Sequence, residues 1–133
     1  MSRVVLDTNV LVSAFVFHGA ISALVTLWQN RTITPLVSRA IQLEYLRVLS
    51  RPNFHLTAAQ IRRLMEEEWL PFVEVIEVRA VPRVVREDPS DDKFLACAVA
   101  GQASHLISGD RHLLVLGVHQ NIRILTPAEF LNP

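Results

Sequence analysis

The sequence predicts an α/β fold in which a parallel sheet lies between two layers of helices. Three observations carry this. Short apolar runs of strand length alternate with longer stretches of helical periodicity along the whole chain. The first run, "RVVL" (3–6), is apolar from Val4 on without alternation, as a strand covered on both faces is. Capping residues and helix breakers fall at the joints between the two kinds of segment.

The elements follow in order. After the first strand, residues 8–29 read as helical, interrupted near His18 and Gly19. "TITPLVS" (32–38) is the second strand, which Pro35 confines to an edge or shortens, because proline gives no N–H to a ladder. Ser38 caps a helix that runs to about Ser50 and stops before Pro52. "TAAQ" (57–60) is a capping box that opens a helix through "IRRLMEEEW". "FVEVIEV" (72–78) alternates apolar and polar residues, as a half-exposed strand does. A loop leads to the helix "DKFLACAVA", capped by Ser90 or Asp91 and ended by Gly101. "HLIS" (105–108) is a strand, "RHLLVLG" a short helix and "IRIL" (122–125) the last strand. "TPAE" (126–129) is a second capping box, with proline at the first helical position.

The chain has 133 residues, the size of one domain, and no linker or repeat divides residues 1–133. Half of it is hydrophobic and a fifth charged, which is a globular composition. No apolar run reaches the roughly 18 residues of a membrane span, and the N-terminus lacks a signal-peptide layout. The single Cys97 sits in an apolar stretch and reads as a core residue in a reducing, cytoplasmic setting. Thirteen basic and 13 acidic residues balance, so no strongly basic nucleic-acid wrapper is expected. Twelve of the basic residues are arginine, and Lys93 is the sole lysine. Arginine grips phosphate with two donors, so the bias suits a phosphate-rich partner as well as it suits compositional drift.

The chemistry is concentrated in the acids. Asp7 interrupts the apolar run "VVLDTNVLVSAF" (4–15), and burying a carboxylate there costs several kcal/mol unless something pairs with it. Asp110, in "LISGDRHLL", follows another strand. In a parallel sheet the crevice lies at the carboxyl ends of the strands, where both aspartates fall. Either one alone reads as a helix cap; together they lean towards function. Glu44 fills a slot in the apolar stripe of Ile41, Tyr45 and Val48, where the competing explanation is a salt bridge to arginine. Asp92 shares a helical face with Leu95, Ala96 and Val99. Asp91 is rotated off that face and reads as a cap, and Asp88 reads as a turn residue beside Pro89.

Four inward carboxylates with no base among them would repel one another, and a divalent cation resolves this. Oxygen ligands select Mg2+ or Mn2+, which can hold a phosphate and activate water. The histidines have no zinc-ligand spacing, and glycine is too scarce for a P-loop or dinucleotide fingerprint.

"VVLDTNVLVSA", Glu44, "EDPSDDKFLACAVA" and "LISGDRHLL", in this order, resemble the PIN-domain family over nearly the whole chain. Within it the chain is most similar to the toxin components of toxin–antitoxin pairs. The resemblance implies four or five parallel strands with helices on both faces. It also implies an Mg2+- or Mn2+-dependent endoribonuclease acting on single-stranded RNA. By motif position Asp7, Glu44, Asp92 and Asp110 match the acidic quartet as catalytic and metal-binding residues, with Asn9 and Ser108 as supporting polar residues. Asp88 and Asp91 stand in the same cluster as the third acid and compete with Asp92 for its place. A homodimer and a cognate antitoxin are further implications. Attack by activated water would leave a 5′-phosphate and a 3′-hydroxyl. Arg47, Arg51, Arg62 and Arg63 are candidates for holding flanking phosphates, a solvated charged face being the other reading. Two other classes fit the residues. One is a non-catalytic domain binding RNA or protein; the other is a phosphohydrolase with Asp7 as nucleophile and Lys93 as its phosphate lysine.

Overall fold

Val4, Val5 and Leu6 are all fully buried in β1 (Ser2–Leu6). Successive strand side chains point to opposite faces, so helices must cover both sides of this strand. The computed structural model of the chain describes residues 2–17, 19–79 and 91–133. Among them the strands form one six-stranded, mostly parallel sheet in the order β3-β2-β1-β4-β6-β5. β2 (Ile33–Val37) and β4 (His105–Ile107) flank β1 in parallel, and β6 (Ile122–Leu125) continues the parallel set beyond β4. β3 (Glu74–Val75) forms one edge beside β2. At the other edge β5 (Val118–His119) turns back antiparallel to β6. The chain winds outward from β1 in one direction and returns to β4 on its other side. A crevice therefore opens between the carboxyl ends of β1 and β4, the switch point where open α/β sheets bind ligands.

The helices are α1 (Thr8–Val16), α2 (Ala23–Gln29), α3 (Arg39–Leu49), α4 (Ala58–Arg63), α5 (Asp92–Ala100), α6 (Arg111–Leu114) and α7 (Pro127–Leu131). The expected caps are in place. Ser38 accepts a hydrogen bond from the Ile41 N–H, and Thr57 with Gln60 and Thr126 with Glu129 form reciprocal capping boxes. A 3-10 turn, Ala20–Ser22, separates α1 from α2 where the break was expected; His18 lies outside the described residues.

Several elements differ from expectation for local reasons. Pro35 sits opposite Val4 inside β2, but β3 begins its pairing only at Leu36, so Pro35 has a ladder neighbour on one side alone. The alternation at 72–78 yields only the two-residue β3. The helix from Thr57 changes at Leu64–Trp69 to the wider π winding, in which Met65 and Trp69 enter the core. β5 has no apolar run to announce it. Gly101 ends α5 with φ −91°, so left-handed geometry is not its reason. A Cβ there would stand 2.7 Å from Leu36 Cδ1, so the tip of that buried side chain would have to shift.

A chain of edge-to-face aromatic rings, Phe15–Trp28–Trp69–Tyr45, ties α1, α2, the π turn and α3 together. Both indole N–H groups are satisfied, Trp28 by the Glu68 carbonyl and Trp69 by the Gln42 side chain. The Tyr45 hydroxyl ends the chain by donating to the Leu6 carbonyl. That bond fixes α3 against the last residue of β1. No single helix among the described residues is long and apolar enough to cross a membrane.

Candidate active site

Asp7 is carried by the end of β1, its N–H donating to the Ile107 carbonyl of β4 at 3.0 Å. Asp7 is 5% exposed, and both its carboxylate oxygens accept hydrogen bonds. One oxygen accepts the Val10 N–H at 3.0 Å and so caps α1; the other accepts the Ser108 hydroxyl. Burial still pushes its carboxyl above the usual range, and Asp110 adds to this, while the bonds from Ser108, Val10 and Gly109 oppose it. Ser108 in turn accepts the Asp110 N–H at 2.9 Å. The Asp110 carboxylate caps α6 through the His112 N–H at 2.8 Å. Both aspartates thus cap helices, and both also face the same crevice.

Glu44 reaches this crevice from α3, one residue before the Tyr45 anchor. The Thr8 hydroxyl donates to one of its oxygens. The other lies 2.6 Å from Lys93 Nζ and 3.5 Å from Arg47. The expectation of an acidic cluster with no base among it is therefore corrected. Lys93 stands beside Glu44 because α5 packs against α3 with its first turn at the carboxyl edge of the sheet.

A cleft of about 290 Å³ opens between these elements. Its acids are Asp7, Glu44, Asp91 and Asp110, its bases Arg47 and Arg51, and Thr8, Asn9, Val48 and Phe94 complete the wall. At the third acid the lining differs from the expected quartet. Asp91, not Asp92, lines the cleft, although Asp92 was read as the inward residue. Asp91 occupies the N-cap position of α5, makes no capping bond with its side chain, and is among the residues lining the cleft. Asp92, in the first helical turn, does share the buried face of Leu95 and Ala96, and it is 2% exposed in the protein interior. Asp88 lies outside the described residues. Arg62 and Arg63 on α4 do not reach the cleft; Arg63 pairs loosely with Glu67 on the surface.

Thr8 and the pairing of Lys93 with Glu44 are not anticipated by the sequence reading. The signals are thin: a hydroxyl next to Asp7, and the sole lysine next to the acid pair. Cys97 is a core thiol, pushed by burial up to about 12, and is no nucleophile.

The donor set suits a hard divalent cation, since among the described residues the lining supplies carboxylate, amide and hydroxyl oxygens and neither sulfur nor imidazole. Among the described residues no group of three or more His, Cys, Asp or Glu is preformed to hold an ion. Three of the four carboxylates are drawn towards a wall, Asp7 to α1 and Ser108, Asp110 to α6, and Glu44 to Thr8 and Lys93.

Compared with known proteins, the chain matches the PIN domain over residues 3–112. No curated protein matches it. Among solved structures it is similar to the crystal structure of VapBC2 from Rickettsia felis bound to a DNA fragment from their promoter. That likeness has a TM-score of 0.59 at 13% identity and covers 92% of this chain and 96% of the other. At such identity the two share a fold.

Proposed function

The chain belongs to the PIN-domain family, and on that premise we propose that it is a metal-dependent endoribonuclease cutting single-stranded RNA, the toxin of a toxin–antitoxin pair. PIN domains are generally nucleases. The observation that carries the reading is the convergence of Asp7, Glu44, Asp91 and Asp110 on one cleft that Arg47 and Arg51 also line. Carboxylates alone would repel a phosphodiester; carboxylates that hold a cation, flanked by guanidinium groups, would attract one.

Asp7, Glu44, Asp91 and Asp110 would hold Mg2+ or Mn2+, with Asn9 beside them. When bound, such an ion polarises a phosphate oxygen and lowers the pKa of water. The protein's own residues do the positioning. Ser108 and the Val10 N–H fix the Asp7 carboxylate at the sheet edge. Arg47 and Arg51 would hold phosphates on either side of the scissile bond.

The toxin assignment rests on the four motifs and accords with the fold shared with VapBC2. It carries with it a cognate antitoxin, a homodimer and a cytoplasmic site of action. The test is cleavage of single-stranded RNA in Mn2+ or Mg2+, which EDTA and Asp7→Asn should each abolish and which duplex RNA should resist. Cleavage that survives both treatments would end the proposal.

A further inference from the structure

We propose that Lys93 is a built-in counter-cation of the acidic cleft, neutralising Glu44 while no metal is bound and competing with a divalent ion for that carboxylate. The inference rests on the metal-dependent reading above and adds its regulation. Lys93 Nζ lies 2.6 Å from Glu44 Oε1, with the two side chains only 18% and 16% exposed. The pair is thus shielded enough for its attraction to matter. Arg47 is a weaker partner, 3.5 Å away with its side chain 71% exposed.

The pairing accounts for how Glu44 is held among the described residues. Glu44 is the acid that must reach the cleft from α3, and its oxygens are turned to Thr8 and Lys93. A divalent ion drawing Glu44 towards Asp7 would have to pull it from the ammonium or sit against a like charge. Lys93 also lines a neighbouring groove of about 630 Å³, together with Leu43, Val75 and Ile76, against which a long aliphatic stem can lie. Residue type fits the task. In a chain whose other twelve bases are arginine, this one is a lysine, a compact charge on a flexible stem that is easily re-aimed. Competition for one carboxylate is reciprocal, so removing Lys93 should strengthen metal binding and weaken the metal-free fold together.

The experiment is Mn2+ titration calorimetry on the EDTA-stripped full chain, with melting curves of the same samples. Lys93→Met and Lys93→Gln remove the charge, and Lys93→Arg keeps it. Both neutral variants should bind Mn2+ about tenfold more tightly than wild type. They should melt below wild type without metal and close the gap at saturation, and Lys93→Arg should behave as wild type. If wild type binds Mn2+ through Asp7 but the neutral variants bind no more tightly, Lys93 is not a competitor and the inference falls alone. Tightening by Lys93→Arg as well would overturn it too, since charge would then not be the cause. If neither wild type nor any variant binds Mn2+, the metal-dependent reading fails and takes the inference with it.

Discussion

Asp7 carries two roles that pull in opposite directions. As a cap it serves α1 and belongs where it is; as a buried carboxylate it burdens the metal-free fold. Its folded-state pKa is raised above 3.8, so the folded protein holds the proton more tightly than the unfolded chain. Below the unfolded value both states are protonated and Asp7 costs nothing. As pH rises through the folded value the charge appears inside the protein and stability is lost. Asp7→Asn keeps a good capping side chain without the charge. In EDTA it should therefore melt near wild type at about pH 4 and above it at about pH 7.5, the gap growing with pH. A gap that shrinks with rising pH would contradict the cause assigned. The neighbouring acids separate in the same assay. At ten times its dissociation constant Mn2+ should stabilise wild type by about 1.4 kcal/mol, a rise of a few degrees. Asp91→Asn should lose that rise; Asp92→Asn, altering a 2% exposed interior residue, should melt lower throughout yet keep it. The reverse pattern would restore Asp92 as the cleft ligand.

At the scale of elements, the cleft depends on how closely α5 and α3 are held to the sheet. Tyr45 fixes α3 to the end of β1 and so sets where Glu44 points. Gly101 does the corresponding work at the far end of α5, where the backbone passes close to Leu36 of β2 and Ile76. Gly101→Ala puts a methyl group 2.7 Å from the fully buried Leu36. Overpacking of this kind should cost about 1–3 kcal/mol in a denaturant titration. An unchanged midpoint would mean that Leu36 turns aside freely. At the sheet edge, the Arg3 guanidinium spans from β1 to Glu74 of β3, with contacts at 3.0 and 2.6 Å. The pair is exposed enough to be a weak fastener.

At the scale of the molecule, a net charge of zero conceals a division of labour. Asp7, Glu44, Asp91 and Asp110 gather at one cleft, which Arg47 and Arg51 also line and Arg62 and Arg63 do not. RNA affinity should follow this map. Arg47→Ala and Arg51→Ala should each weaken binding and lower the slope of log affinity against log salt by about 0.7. Arg62→Ala and Arg63→Ala should leave both unchanged. Equal effects from all four, measured by filter binding over a salt series, would mean a diffuse basic surface rather than a cleft.

The sequence by itself determined whatever is local or periodic. The buried strand at 3–6, the capping boxes at Thr57 and Thr126, the Ser38 cap and the placing of Asp7 and Asp110 at strand ends were legible, because each depends on neighbours a few residues away. The parallel α/β class followed from their alternation. The tertiary structure alone decided what depends on how elements meet. Helical periodicity marked Asp92 as inward, and inward it is, but it could not tell the protein interior from a cleft at a helix's end, where Asp91 lies. Nor could it show Lys93 beside Glu44, a pairing between residues 49 apart that exists only once α5 packs on α3. β3 and β5, two residues each, carry too little pattern to announce themselves; their partners in the sheet create them. Local rules set where each acid starts, and packing sets what it faces.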